Sequence, residues 1–219
     1  MGQIKDRNGN VVAEVEDNFD FMVDPYICVY EAVKPRFNEK MHLVERELVG
    51  GIKMYVRFNV REDVTEKLVD GDASVVVTKE ILECMGMSEE FLFQRAIRNT
   101  PGQLKNIFCE MEELRGVKTG YDGPMPPVFV ARTKDRLING AGVLANIQWL
   151  EEIREKMGDF YIIHSSRHEL IIIDGKMVEE RGAEDLQYMV KTVNGDVLDP
   201  ADKLSDDVYK FDVNGLHVA

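Results

Sequence analysis

Two short apolar runs, Phe160 to Ile163 and Leu170 to Ile173, enclose the polar segment His164-Ser165-Ser166-Arg167-His168-Glu169. Both runs are rich in β-branched and aromatic residues and too short for helices, so they predict strands. The segment between them then predicts a turn, and the whole a hairpin. Neither run alternates with polar residues, which implies burial on both faces and a place in the middle of a sheet.

The same reading carries along the chain. Asn8-Gly9, between Ile4 and Val11-Val12, predicts a short hairpin. Phe19 to Val33 mixes aromatic and branched residues around Pro25 and fits a strand or a short helix. Met41, Val44 and Leu48 have helical spacing, so residues 39–48 predict a helix stopped by Gly50-Gly51. Met54, Val56, Phe58 and Val60 alternate and predict a strand, and Ser74 to Thr78 a second, buried one. Lys79 to Met85 predicts a helix ended by Gly86. Ser88 caps another that runs to Asn99, with Glu89 and Glu90 in its first turn and Phe91, Ala96 and Ile97 facing inward. A helix over Gln103 to Leu114 and a strand over Val128 to Ala131 follow. Gly140-Ala141-Gly142 and Ala145 allow close packing before a helix carrying Leu144, Ile147, Trp149, Leu150 and Ile153. A short helix over Ala183 to Met189 and an extended tail over Val190 to Phe211 close the chain.

These elements predict an α+β fold: a mostly antiparallel mixed sheet centred on the 160–173 hairpin, with helices from 79–99 and 142–157 covering a face. Gly116, Gly120, Gly123, Pro124, Pro126 and Pro127 mark a loop or lid at 116–127, the one shift in composition along the chain. The expected organisation is an appendage at 1–51 and an α+β domain at 52–219.

Charge narrows the partners. The chain has 27 Lys plus Arg against 40 Asp plus Glu, a net charge of −13, which repels nucleic acid and anionic membranes and suits a basic protein partner. Three cysteines, Cys28, Cys84 and Cys109, lie in apolar surroundings without a CxxC spacing, so they are expected as buried free thiols of a reducing, cytoplasmic compartment. No apolar run approaches membrane-spanning length, and the first residues lack a signal-peptide core.

Candidate chemistry gathers at the hairpin. Ser166 as nucleophile, His168 as base and Asp122 as the acid orienting it would make a small hydrolase. Alternation of side chains along a strand argues against this, because neighbours point to opposite faces, and turn serines commonly bond their own backbone. His164 and His168 lack the helix that would align them on a metal, so no metal and no cofactor are expected. Glu110, Glu112 and Glu113 form an acidic stretch beside the glycine-proline loop. Together with His164 and Ser165, they are the candidate binding residues.

Several separated motifs add a family likeness. Val75-Val-Val-Thr-Lys79, Met85-Gly-Met-Ser-Glu-Glu90, Ala96-x-x-Asn99-Thr100, Asn139-Gly-Ala141, Gly158-Asp-Phe-Tyr-Ile162, Ser165-Ser-x-His-Glu169 and Leu204-Ser-Asp-x-Val-Tyr209 occur in this order. Over roughly Met54 to Phe211 the chain resembles an uncharacterised domain-of-unknown-function family common in anaerobic gut bacteria and their mobile elements. The likeness implies the strand, helix-pair and hairpin order and a bacterial or mobile-element origin, and it implies no activity. Two departures accompany it: His164 stands where a proline is expected, and the first fifty residues lack the family's helical amino-terminal character. The expected function is a non-enzymatic interaction or regulatory protein acting on a host protein through its acidic surface, with the hydrolase as alternative.

Overall fold

In the computed structural model the two apolar runs pair as predicted. Strand β9 (Phe160–Ser166) is antiparallel to β10 (Glu169–Asp174), and only Arg167 and His168 lie between them. The structure describes residues 3–5, 11–14, 21–27, 42–59, 74–116, 124, 126–134, 140–196, 199 and 202–219. Strands β7 (Gly102–Asn106), β8 (Val128–Thr133), β11 (Val208–Asp212) and β12 (Gly215–Val218) extend the hairpin into a six-stranded sheet of order β12-β11-β9-β10-β8-β7. Each of its pairings is antiparallel.

The register places Ile172 opposite Ile162 and Ile173 opposite Tyr161, so side chains sort by parity. Phe160, Ile162, Leu170 and Ile172 enter one core with Leu150 and Ile153 of α4 (Ile147–Met157) and with Ala141, Val143 and Leu144 of a buried 3-10 helix (Gly140–Ala145). The α1 and α2 helices are Lys79–Met85 and Glu89–Arg98, and α3 is Ile107–Arg115. Tyr161, Ile163 and Ile173 enter a second core on the opposite face, with Val178 of α5 (Gly175–Arg181) and Leu186 and Val190 of α6 (Ala183–Asp196). The expected burial on both faces is realised.

A smaller sheet is centred on β5 (Ile52–Asn59), flanked by β3 (Phe21–Ile27), β4 (Glu45–Val49) and β6 (Ser74–Val76), all antiparallel to it. A separate hairpin joins β1 (Gln3–Lys5) to β2 (Val11–Glu14). Helices α1 and α2 cover the smaller sheet with Leu82, Leu92, Phe93 and Ala96. Both helices have the predicted punctuation: Ser88 Oγ accepts from the Phe91 N–H, and Gly86 closes α1 in the left-handed region. The two sheets meet at Gly50. A Cβ there would lie 2.8 Å from Val218 Cγ2 and 2.9 Å from Tyr209 Cε1, so the β4–β5 turn seats directly on the larger sheet.

Several expectations are corrected. Residues 45–49 are a strand rather than a helix, and Gly50-Gly51, with φ of 54° and 82°, form its hairpin turn rather than a helix stop. Arg46 obscured the alternation. It shares the inward face of Val44 and Leu48, with its guanidinium 4.3 Å from the Phe93 ring centre and 2.9 Å from Glu90. The expected 51/52 boundary falls in this turn, and both β3 and β4 pair with β5 across it. Residues 103–114 divide into β7 and α3, with Asn106 as the cap that accepts from the Phe108 N–H. The tail is helical to Asp196 and ends in the β11–β12 hairpin. Residues 39–41, Val60, Cys28 and most of the 116–127 loop lie outside the described residues. Phe91 is 49% exposed while Leu92 and Phe93 face inward, and Cys84 and Cys109 are exposed rather than buried. Among the described residues no helix is long and apolar enough to cross a membrane.

Ile172 is fully buried at the centre of the first core. Ile172→Asp is expected to abolish the cooperative thermal transition in circular dichroism. An unpaired carboxylate there costs several kcal/mol, on the order of a domain's whole stability. A retained midpoint would show that the hairpin is not central.

Candidate functional site

The odd-numbered face of the larger sheet is apolar but incompletely covered. Val128, Ile173 and Tyr161 form one cross-strand row, and Val130, Ile171 and Ile163 the next. Helices α5 and α6 stand over part of this face. Asp174 starts α5 by accepting from the Lys176 N–H at 2.9 Å, and Gly182, with a φ of 96°, breaks the chain so that α6 leaves in a new direction. On the other side Ile107 opens α3. Between these helices lies a cleft of about 530 Å³, floored by Ile163, Ile171 and Ile173 and edged by Met177 and Met189.

Among the described residues the cleft wall contains two polar side chains, Asp185 and Asn194. Asn194 is committed: its Nδ2 donates to Ser205 O at 2.9 Å and to Asp206 Oδ1 at 3.0 Å. Asp185 lines the cleft and is exposed. Among the described side chains of α5 and α6, Glu179, Glu180 and Glu184 are also exposed, as are Lys176 and Lys191. Across the cleft, α3 adds the exposed Glu112 and Glu113. An exposed apolar surface of this kind, rimmed by polar groups, is characteristic of binding surfaces.

The predicted acidic stretch is split by burial. Glu110 is 4% exposed, with Arg132 Nη1 2.5 Å from its Oε1 and Lys105 Nζ 3.7 Å from its Oε2, so it is not available to a partner. Glu112 and Glu113 reach solvent. Glu113 also accepts from Lys105, and that bond holds its carboxyl below the ordinary range.

The hairpin residues are equally divided. His164 does not sit at the tip; it lies in β9, fully buried, with its ring edge-on to Tyr209 at 4.7 Å between centres. Neither ring nitrogen has a hydrogen-bond partner among the described residues, and burial pushes the imidazole down to about 3. Ser165 lies in β9 at a bulge, where the register passes from Ser166 opposite Glu169 to His164 opposite Leu170. Ser166 is buried, and its Oγ accepts from the His168 backbone N–H at 3.0 Å, the local turn bond expected of a serine there.

The acid beside His168 is Asp202: its Oδ1 lies 3.3 Å from His168 Nε2 and 2.8 Å from Arg167 Nε. Asp122 lies outside the described residues. Nothing local in the sequence marks Asp202, because its place depends on residues 202–207 packing against the hairpin turn, where Arg167 N–H donates to Asp202 O at 2.8 Å. The cleft residues were visible only as core: Met177, Met189 and the three isoleucines have the same apolar spacing whether or not a helix covers them. Among the described residues no group of three or more His, Cys, Asp or Glu side chains could hold a metal ion.

The profile of a family of unknown function, DUF5688, matches residues 53–213, a segment containing every side chain that lines the cleft. No curated protein and no solved structure matches the chain.

The buried imidazole makes a prediction about pH. In the unfolded chain a histidine titrates near 6.5, while His164 stays neutral in the fold down to about 3. Between those values the unfolded state binds the extra proton, so stability falls as pH drops below 6.5, by about 1.4 kcal/mol per pH unit from this group. Urea unfolding at pH 7 and pH 5 should therefore show a loss in the native protein that is about 2 kcal/mol smaller in His164→Leu. An equal loss in both would mean that His164 is hydrated or paired.

Proposed function

We propose that this chain, which belongs to the DUF5688 family, is a non-enzymatic binding protein whose working surface is the cleft between α3 and the α5–α6 pair. The partner is a protein that presents a basic amphipathic helix. The observation that carries this reading is the cleft itself: about 530 Å³ of aliphatic and methionine surface left open beside a packed core. Its volume is within the usual range of ligand sites. Among the described residues its floor is aliphatic, and flexible methionines suit a groove that receives helical anchors at i, i+3, i+4 and i+7.

Charge selects the sign of the partner. Asp185 stands in the wall of an apolar cleft, the helices that border it carry further exposed acids, and the chain's −13 adds a field that draws basic surfaces and repels phosphate backbones. Two exposed free thiols, Cys84 and Cys109, suit a reducing, cytosolic setting.

A synthetic Leu/Lys amphipathic helix of about five turns is the probe, with its Leu/Glu counterpart as control. Fluorescence anisotropy should show the basic peptide binding and the acidic one failing to bind, with the association rate falling as salt screens the rim. Met189 is 49% exposed, so Met189→Asp should leave the melting temperature nearly unchanged while weakening the peptide about tenfold, or about 1.4 kcal/mol. Equal binding of both peptides, or indifference to Met189→Asp, contradicts the reading.

A further inference from the structure

On the opposite face of the larger sheet, a second groove of about 650 Å³ runs between the end of α2 and the first turn of α4. A smaller recess adjoins it and shares Gln94 and Arg98 with it. Its charges are the reverse of those around the cleft. Arg98 lines the groove, and Arg95, one turn away on α2, lines the smaller recess; among the described lining residues the one acid is Glu152.

These two arginines are exceptional among the described residues. Arg46 is held by Glu90 at 2.9 Å, Arg132 by Glu110 at 2.5 Å, Arg154 by Asp159 at 3.0 Å and Arg167 by Asp202 at 2.8 Å, and Arg57 is also engaged. Among the described residues Arg95 and Arg98 have no ion pair, in a chain where acids outnumber bases 40 to 27. The dipole of α2 accounts for bases in its last turn. It does not account for a groove that runs beneath them, walled by apolar side chains.

Trp149 forms the fixed wall of that groove. Its ring lies on Gly102 of edge strand β7, where a Cβ would come within 2.1 Å of it, so any larger residue at 102 would displace the indole. Pro101 and Ile147 continue the apolar wall, and Ile147 is 42% exposed. Phe91, 49% exposed, stands at the far mouth beside Arg95. Guanidinium forks spaced along an apolar slot fit carboxylates that flank an apolar side chain.

We infer that this groove binds an acidic peptide segment of a partner protein, with its carboxylates on Arg95 and Arg98 and an apolar side chain against Trp149 and Ile147. The site does not depend on the cleft: the two lie on opposite faces of the six-stranded sheet and carry opposite charge. A protein with both surfaces would join a basic helix to an acidic segment.

The test uses random dodecapeptides displayed on phage and selected on the full chain. Enriched sequences should combine two or more Asp or Glu with a neighbouring apolar residue. A synthetic copy should change the emission of Trp149, the chain's single tryptophan. Arg95→Glu with Arg98→Glu should weaken that peptide at least about tenfold with the fold retained and the melting temperature lowered only by the lost helix-dipole contribution, since among the described residues neither side chain has an ion pair, whereas Met189→Asp should leave its affinity intact. Four results overturn the inference: enrichment of neutral or basic peptides, silent Trp149 emission, an affinity indifferent to the arginine reversals, or sedimentation showing that the arginines hold a second copy of this chain instead. None of these bears on the cleft, whose own probe is the basic helix.

Discussion

The central strands β9 and β10 cannot turn either face to water. Phe160, Ile162, Leu170 and Ile172 are buried in one core, and Tyr161, Ile163 and Ile173 in another. At about 1.5–3 kcal/mol for each large side chain removed from water, these strands require a layer on both sides. On the even side the cover over the strands' centre is α4, the 3-10 helix and the tip of the β4–β5 hairpin, which reaches the larger sheet because Gly50 has no side chain. On the odd side α5 and α6 cover only part of the sheet. The cleft is the part of that face left uncovered, so the demand that organises the fold also defines the site.

The sequence disclosed what depends on near neighbours. The hairpin, α1 with its Gly86 terminus, α2 with its Ser88 cap and the β8 strand all rest on periodicity and capping within a few residues. It misled where a long-range contact reverses a local signal. Arg46 is polar by type, yet it belongs to the buried face of β4, because its stem packs on Phe93 and its head reaches Glu90. With Arg46 set aside, Val44 and Leu48 fit a helix as well as a strand. Gly50-Gly51 likewise stops a helix or turns a hairpin, and only the partner strand decides which.

The site was less legible than the fold for the same reason. Glu110 and Glu113 stand one turn apart in the sequence of α3, but one faces Arg132 in the interior and the other faces solvent. His164 occupies a strand position whose neighbours on the same face are Ile162 and Leu170, so it enters the core as a neutral ring against Tyr209. At the polar hairpin tip the serine closes a turn and His168 meets Asp202, 34 residues further along the chain, rather than Asp122, which lies outside the described residues. An uncovered apolar face leaves no mark in composition, because isoleucine and methionine read the same whether a helix covers them or not.

The claim that the uncovered face is a binding surface is tested most directly by methyl spectra. Protein labelled at the isoleucine and methionine methyl groups would be recorded with and without the basic amphipathic peptide. The account predicts shifts at Ile163, Ile171, Ile173, Met177 and Met189, the floor and edge of the cleft, with Ile97, Ile147 and Met54 unmoved. Shifts centred on Ile97 and Ile147, or a spectrum unchanged at saturating peptide, would contradict it.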